Sequence, residues 1–322
     1  MGQGGWTVAA LAATVLAAGS AQAATAPALV EKPMRVDKLK DGLFVVRGPF
    51  RLCGTRGCAR PGARDDGMLH EPGDVAVRVT PAGLILVDNK YPEDVPELMR
   101  LVRTISPLPV KYMLNSHQHA DHVGGDGEIL RLGVEIVAQK NLRAGVARTN
   151  DSGAARITFG DEGAVFLGGV EVRMLHLGRA HTDGDTFTYF PDLKVVHTGD
   201  VVIDGAPVAD RQAGGSWIEY VDTIYNLLKL DFDTVIPGHG EYLTKDQVRA
   251  YLKNIEIMNE RMRELVRRGV PRDQARQQLK IDDLGWANSV STVNFWSKVG
   301  DYYDEMAAQV AAERAGAALR AK

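Results

Sequence analysis

The sequence predicts an α/β fold in which strands and helices alternate, with a helical C-terminal extension. Short apolar runs bounded by turn residues indicate strands, at residues 42–46, 74–79, 84–88, 110–114, 134–138, 165–177, 186–189, 194–197 and 234–236. Segments with apolar residues at helical spacing lie between them, at residues 93–105, 124–132, 141–148 and 217–230. After Thr244 the strand signals stop, and Thr244 with Gln247 fits a capping box ahead of a long apolar stripe.

Length and composition describe an ordinary globular protein, and we expect its partner to be a small-molecule substrate. The 322 residues are enough to bury a sizeable core. A formal net charge of -3, without a sustained run of Lys and Arg, gives no long-range attraction for a polyanion. We therefore expect no nucleic-acid partner, and the sequence leaves the oligomeric state open.

The N-terminus has the pattern of a secretory signal peptide over residues 1–23. Val8 to Ala18 is almost wholly apolar, and Ala21-Gln22-Ala23 is a small-x-small cleavage pattern. The alternative is an uncleaved anchor, but the run is short of the about 20 apolar residues that span a bilayer. We predict cleavage after Ala23, no stable membrane anchor and a periplasmic or secreted protein, with residues 24–35 as a disordered leader. Outside the cytoplasm, Cys53 and Cys58 would either form a disulfide or remain free thiols.

Four side chains that bind metals fall within six residues, His117, His119, Asp121 and His122, directly after the predicted strand 110–114. Side chains two residues apart on an extended chain share a face, so His117 and His119 can point the same way. Asp121 continues that face if the extension persists, whereas His122 leaves it, so the segment can serve two centres. Imidazole and carboxylate suit zinc, and iron or manganese less exclusively.

Three further positions follow apolar strands and have glycine nearby. They are His181 after Gly178, Asp200 after Gly199, and His239 between Gly238 and Gly240. Glycine lets the backbone bend sharply where a side chain turns inward. With the first cluster, these residues complete a candidate two-metal site.

These motifs, in order from Asp88 to His239, resemble the five-part signature of the metallo-β-lactamase superfamily. The resemblance implies a four-layer αββα sandwich over residues 36–268, with residues 269–322 as the helical extension. It implies two zinc ions, the first held by His117, His119 and His181 and the second by Asp121, His122 and His239. Asp200 would bridge the ions, and Asp88 would support the ligands through hydrogen bonds.

The resemblance further implies a zinc-dependent hydrolase in which a hydroxide shared by the two ions attacks an amide-type or ester-type carbonyl, with Asp121 and Asp200 as catalytic residues. Hydrolysis of a β-lactam ring is the preferred reaction. Asp200 stands where one β-lactamase subclass has cysteine, which keeps a lactonase or a glyoxalase II-like thioesterase as alternatives. A sulfur dioxygenase with one iron is the alternative from another enzyme class. Arg211 and Ser216 are candidates for binding a substrate carboxylate.

Overall fold

The computed structural model of the chain describes residues 1–2, 32–52, 69–286 and 290–320. Its strands are β1 Arg35–Lys40, β2 Leu43–Arg47, β3 Arg51–Leu52, β4 Leu69–His70, β5 Val75–Thr80, β6 Gly83–Val87, β7 Val110–Leu114, β8 Glu135–Gln139, β9 Ile157–Phe159, β10 Glu162–Leu167, β11 Val170–Leu175, β12 Phe187–Phe190, β13 Val195–His197, β14 Thr234–Ile236 and β15 Leu243–Thr244. Its α-helices are α1 Val95–Ile105, α2 Ala120–Val123, α3 Asp126–Arg131, α4 Lys140–Thr149, α5 Tyr220–Leu228, α6 Lys245–Arg267, α7 Ala275–Gln278 and α8 Val290–Arg320.

The strands form two large sheets. The first has the order β1-β2-β5-β6-β7-β8-β9, and the second the order β10-β11-β12-β13-β14-β15. In the first sheet the strands from β6 to β9 pair in parallel, since helices connect them, whereas the strands from β1 to β6 pair antiparallel. The side chains discussed below follow the ends of β7, β11, β13 and β14.

Three apolar clusters separate four layers. Alternate residues of β6 point to opposite faces: Leu84 and Leu86 pack against the helices α1, α3 and α4, and Ile85 and Val87 pack against the second sheet. The outer face of the second sheet packs against α5, α6 and α8. The predicted αββα sandwich is confirmed.

The C-terminal helices share a core with the sandwich. Helix α6 begins at a capping box in which Thr244 and Gln247 bond each other's backbone amides, as the sequence predicts. Helix α8 buries Phe295, Val299 and Tyr302 in the same cluster as the outer face of the second sheet. Among the described helices, none is long and apolar enough to cross a bilayer.

The structure differs from the sequence prediction at several strands. Strand β1 begins at Arg35, the last residue of the predicted leader, and Met34 before it is buried. The predicted β segment 165–177 is a hairpin, because Gly168 and Gly169 both have positive φ and reverse the chain between β10 and β11. The predicted signal peptide beyond Gly2, residues 24–31 of the predicted leader and the two cysteines lie outside the described residues.

Candidate metal centre

The first histidine cluster follows β7 but does not stay extended throughout. Strand β7 ends at Leu114, and His119, with extended backbone angles, precedes the short helix α2. Asp121 therefore lies on a helical turn. The prediction that an extended chain would carry Asp121 on the same face as His117 and His119 is wrong. The helical turn nevertheless brings the carboxylate of Asp121 to the same site, because it places Asp121 and His122 next to His239.

Three histidines form the first group of potential ligands. Ring nitrogens of His117, His119 and His181 all lie within 4.8 Å of one another. His119 Nδ1 is 2.9 Å from His181 Nε2. His117 and His181 are buried, and His119 is about one third exposed.

Asp121, His122 and His239 form the second group. Their ligand atoms again lie within 4.8 Å of one another. His239 Nε2 is 3.3 Å from Asp121 Oδ2 and 3.3 Å from His122 Nε2. The two groups come from the ends of β7, β11 and β14 and from the helical turn α2, which the sequence did not predict.

Asp200 lies between the two groups. Its Oδ2 atom is 3.9 Å from His117 Nε2 and 3.7 Å from His181 Nε2 on one side. The same atom is 3.4 Å from His239 Nε2, and its Oδ1 is 3.3 Å from His122 Nε2. This is the position that a bridging carboxylate would need. The structure thus brings together all seven side chains that the sequence assigns to metal binding.

Hydrogen bonds fix the orientation of the imidazoles from the side that faces away from the cluster. Asp88 Oδ2 is 2.8 Å from His122 Nδ1, and both Asp88 oxygens also accept hydrogen bonds from Ser116, one from its amide and one from its hydroxyl. Ser116 Oγ is in turn 3.0 Å from His117 Nδ1. Such partners set the tautomer and the direction of metal-binding histidines. Asp88 is placed where the supporting role predicted for it requires.

Two further partners were not predicted. Asp210 Oδ2 lies 3.0 Å from His119 Nε2, and the carbonyl oxygen of Val208 accepts a hydrogen bond of 2.6 Å from His181 Nδ1. Both belong to the loop between β13 and α5. No motif marks them, because Asp210 is 91 residues from His119 in sequence and a backbone carbonyl has no sequence signature.

Arg211 and Ser216 have a different carboxylate partner from the one predicted. Ser216 is buried and its hydroxyl donates to Glu305 Oε1 at 2.6 Å. Arg211 Nη1 is 2.8 Å from Glu305 Oε2. Helix α8 thus supplies a carboxylate to both side chains, and the prediction that they bind a substrate carboxylate stays a prediction.

Charges within the cluster shift several pKa values. Burial lowers the pKa of His117, and burial together with His119 lowers the pKa of His181 to about 4. Burial also opposes protonation of His122, but the carboxylates of Asp200 and Asp121 outweigh it and raise the pKa of His122 to about 10. His239 and His122 hold the pKa of Asp200 well below its usual range.

The donor set fits a cation better than it fits the protein alone. His117 Nε2 is buried without a hydrogen-bond partner among the described residues, and it faces the other ligand atoms. An unpaired buried polar nitrogen is costly unless a ligand satisfies it. Imidazole nitrogens and carboxylate oxygens at these separations are the donors that zinc prefers.

One side of the cluster is open. His119, Asp121 and His239 are 30%, 24% and 27% exposed, whereas His117 and His122 are buried. Among the described residues of the two groups, these three side chains form the face of the cluster that is open to solvent.

The family model described as "Metallo-beta-lactamase superfamily" matches residues 76–239 of the chain. This range contains all seven clustered side chains. The chain belongs to this superfamily. Its sequence is 22% identical over 233 residues to "Metallo-beta-lactamase type 2" of Elizabethkingia meningoseptica, covering 70% of this chain and 86% of that protein. It is 27% identical over 173 residues to "2,4-dinitroanisole O-demethylase subunit alpha" of a Nocardioides strain, covering 52% of each. The chain thus spans about half the length of that relative.

Solved structures with the metallo-beta-lactamase fold superimpose on this chain. A metallo-beta-lactamase from Pontibacter korlensis gives a TM-score of 0.57 at 21% identity, covering 69% of this chain and all of that one. One from Hirschia baltica gives a TM-score of 0.58 at 16% identity, covering 70% of this chain and 98% of that one. At these identities the likeness concerns the fold alone.

Proposed function

We propose that the protein is a binuclear zinc hydrolase that cleaves an amide-type or ester-type carbonyl bond. The observation that carries this proposal is the position of Asp200, within 4 Å of histidines from both ligand groups. His117, His119 and His181 would hold one ion, Asp121, His122 and His239 the other, and Asp200 both. A single iron site would leave part of this donor set unused, which disfavours the sulfur dioxygenase alternative.

Zinc bound by these residues would polarise a carbonyl oxygen and lower the pKa of water toward neutrality. The protein's own residues then have three tasks. Asp88 and Ser116 hold the imidazoles of His122 and His117 in a fixed direction. Asp121, on the open face, would orient a water molecule and hold a proton for the leaving group. His117 and His122 are buried, so their side of the cluster would be shielded from water.

Within this class we propose a β-lactam ring as the substrate. The likeness to the Elizabethkingia protein, which extends over 86% of its length, supports a lactam, as does the predicted export of the chain. The aspartate at position 200 supports the lactonase and thioesterase alternatives. The Nocardioides relative, named as a subunit of a 2,4-dinitroanisole O-demethylase, adds an aryl methyl ether as a further substrate class to test.

Metal analysis followed by a turnover panel tests the proposal. We expect two zinc ions per chain after reconstitution, and Asp200→Ala should bind fewer and lose most turnover. The panel contains a cephalosporin, a penicillin, a carbapenem, an acyl-homoserine lactone, a glutathione thioester and 2,4-dinitroanisole. Fastest turnover of a lactam supports the substrate assignment, and faster turnover of another class replaces it. One ion or none in the wild-type protein would refute the binuclear site.

Export from the cytoplasm is part of the proposal. It is based on the apolar run Val8 to Ala18 and the pattern Ala21-Gln22-Ala23. The mature protein would begin at Ala24, so a mass spectrum of exported protein that still contains Met1 would refute cleavage.

A further inference from the structure

We propose that the C-terminal helix α8 controls the geometry of the three-histidine group, with Glu305 as the positioning residue. The inference rests on the proposed function, because it concerns how tightly His117, His119 and His181 bind their metal ion. Glu305 lies 66 residues beyond the end of the family-model match at residue 239, so it comes from the extension and not from the shared signature.

The connection begins with the loop 208–217, which lies against two of the three histidines. Val208 accepts the hydrogen bond from His181 Nδ1, and Asp210 bonds His119 Nε2 at 3.0 Å. The backbone reinforces this contact, since the amide of Asp210 donates to the carbonyl of His181 at 2.8 Å and the amide of Ser216 donates to the carbonyl of Ala180 at 2.9 Å. The position of this loop therefore sets the direction of both rings.

Glu305 fixes the other end of the loop. Its Oε1 atom accepts the hydroxyl of Ser216 at 2.6 Å, and its Oε2 atom accepts the amide of Trp217 at 3.1 Å and Arg211 Nη1 at 2.8 Å. The carboxylate is only 14% exposed, so these charge-assisted bonds are largely shielded from water. Lys298 of the same helix adds a second link, with its Nζ atom 3.7 Å from Asp210 Oδ1.

Helix α8 can hold the loop because it is itself fixed in the core. Phe295, Tyr302 and Met306 are fully buried. Trp217, at the end of the loop, stacks on Tyr302 with ring centroids 4.8 Å apart and meets Phe295 edge-on at 5.6 Å. A displacement of the loop would therefore disturb a packed aromatic cluster.

The second ligand group is held by other elements. His122 is oriented by Asp88 at the end of β6, and the loop of His239 is held by Arg47, which donates to the carbonyl of Gly240. Among the described residues, the side-chain hydrogen bonds and the ion pair of Glu305 are with Ser216, Trp217 and Arg211 of the loop 208–217. None is with the residues that hold the second ligand group. Loss of the Glu305 carboxylate should therefore lower the affinity for the metal ion at the three-histidine group and not the affinity for the other ion.

The test compares Glu305→Gln with Asp304→Asn. Glutamine keeps the side-chain volume but loses the charge and one acceptor atom, so the ion pair with Arg211 is lost and either Ser216 or the pair of Arg211 and Trp217 loses its acceptor oxygen. Asp304 is the adjacent carboxylate on α8 and makes an equally short contact of 2.8 Å, but with Arg272, away from the loop. Zinc affinities are measured for the full chain by competition with a chromogenic chelator, and histidine ring nitrogens are followed by NMR during the titration.

We expect Glu305→Gln to lower the affinity for one of the two zinc ions by about tenfold. The ring-nitrogen signals of His119 and His181 should change, and those of His122 and His239 should not. Asp304→Asn should keep both affinities. The inference would be overturned if Glu305→Gln lowered the affinities for both zinc ions equally, or if its affinities matched those of Asp304→Asn. Either result would leave the proposed function intact. A wild-type chain that binds no zinc would overturn both. If Glu305→Gln does not fold, Ser216→Ala removes one of the three bonds, and the same selective loss, in smaller amount, is expected.

Discussion

Gly238 is the residue whose size most directly limits the site. A Cβ atom at this position would lie 2.0 Å from Asp200 Oδ1 and 2.9 Å from the carbonyl carbon of Gly199. The backbone cannot move away easily, because the amide of Gly238 donates to Gly199 and its carbonyl accepts from Asp74. Asp200 would have to leave its place between the two ligand groups.

We therefore expect Gly238→Ala to lower the affinity for both zinc ions by about ten- to a hundredfold and to destabilise the fold by about 1–3 kcal/mol. Gly160→Ala is the matched control, because nothing lies within 4 Å of the added Cβ there. Zinc competition and thermal unfolding check both variants. A Gly238→Ala protein that keeps the zinc affinity of the wild-type protein would show that Asp200 does not bridge the ions.

The ligand cluster could be predicted at the residue scale because chemistry and backbone constraint coincide there. A glycine lies close to each of His181, Asp200 and His239. Gly199 has a positive φ, so the backbone does bend sharply directly before Asp200. Asp210 and Glu305 could not be predicted in the same way. Each acts through a distant partner, and a lone carboxylate in a loop or helix is usually solvated.

At the scale of elements, the buried strands and long helices were predictable and the edges were not. Strands such as β6 are buried on both faces and so read as continuous apolar runs. The edge strands β1 and β9 are largely polar or short, because one side of each faces solvent. Their pairing is decided by neighbouring strands and leaves little trace in the local sequence.

Helix α2 places Asp121 at the site although the sequence predicted an extended chain there. The extended spacing explains His117 and His119, but the chain turns helical at Ala120. Asp121 and His122 then diverge by about 100° around the turn, which separates a carboxylate on the open face from a buried imidazole. The assignment of both to one group therefore depends on tertiary structure, which brings His239 to them.

At the scale of the whole molecule, a buried ion pair joins the end of β2 to the start of β5 in the first sheet, and its arginine also contacts the chain after β14 of the second sheet. Asp74 is fully buried and its Oδ2 atom is 3.2 Å from Arg47 Nε. Arg47 also contacts Glu241 Oε2 at 3.0 Å, beyond the His239 loop. Burial, with a contribution from Glu71, raises the pKa of Asp74 to about 7 despite the nearby positive charges of Lys90 and Arg47.

This pKa predicts a pH dependence of stability. Because the folded state binds the Asp74 proton more tightly than the unfolded state, where the pKa is near 3.8, the free energy of unfolding falls as pH rises from about 4 to about 7. Asp74→Asn has no such proton to lose, so its free energy of unfolding should fall less over the same range. Denaturant unfolding of the metal-free proteins across this range measures the difference. Parallel profiles for the variant and the wild-type protein would contradict the prediction.

Helix α8 belongs to the core of the molecule, since it buries Phe295, Val299, Tyr302, Met306 and Val310 in one cluster with the second sheet. Burial of each such side chain contributes about 1.5–3 kcal/mol, so their sum is comparable to the about 5–15 kcal/mol by which a domain is stable. A chain that ends at residue 289 should therefore fail to unfold cooperatively and should expose Trp217.

The control for this truncation is a chain that ends at Val310. It loses residues 311–322, of which 311–317 are mostly exposed, and the half-exposed ion pair between Arg267 and Glu313, which contributes little. Its Tm should match that of the full chain. Thermal unfolding distinguishes the two truncations, and tryptophan emission is compared in a background with Trp6, Trp286 and Trp296 replaced by Phe, so that it reports Trp217. If the chain ending at residue 289 keeps the Tm and the emission maximum of the full chain, helix α8 is an independent appendage, and the coupling through Glu305 loses its mechanical basis.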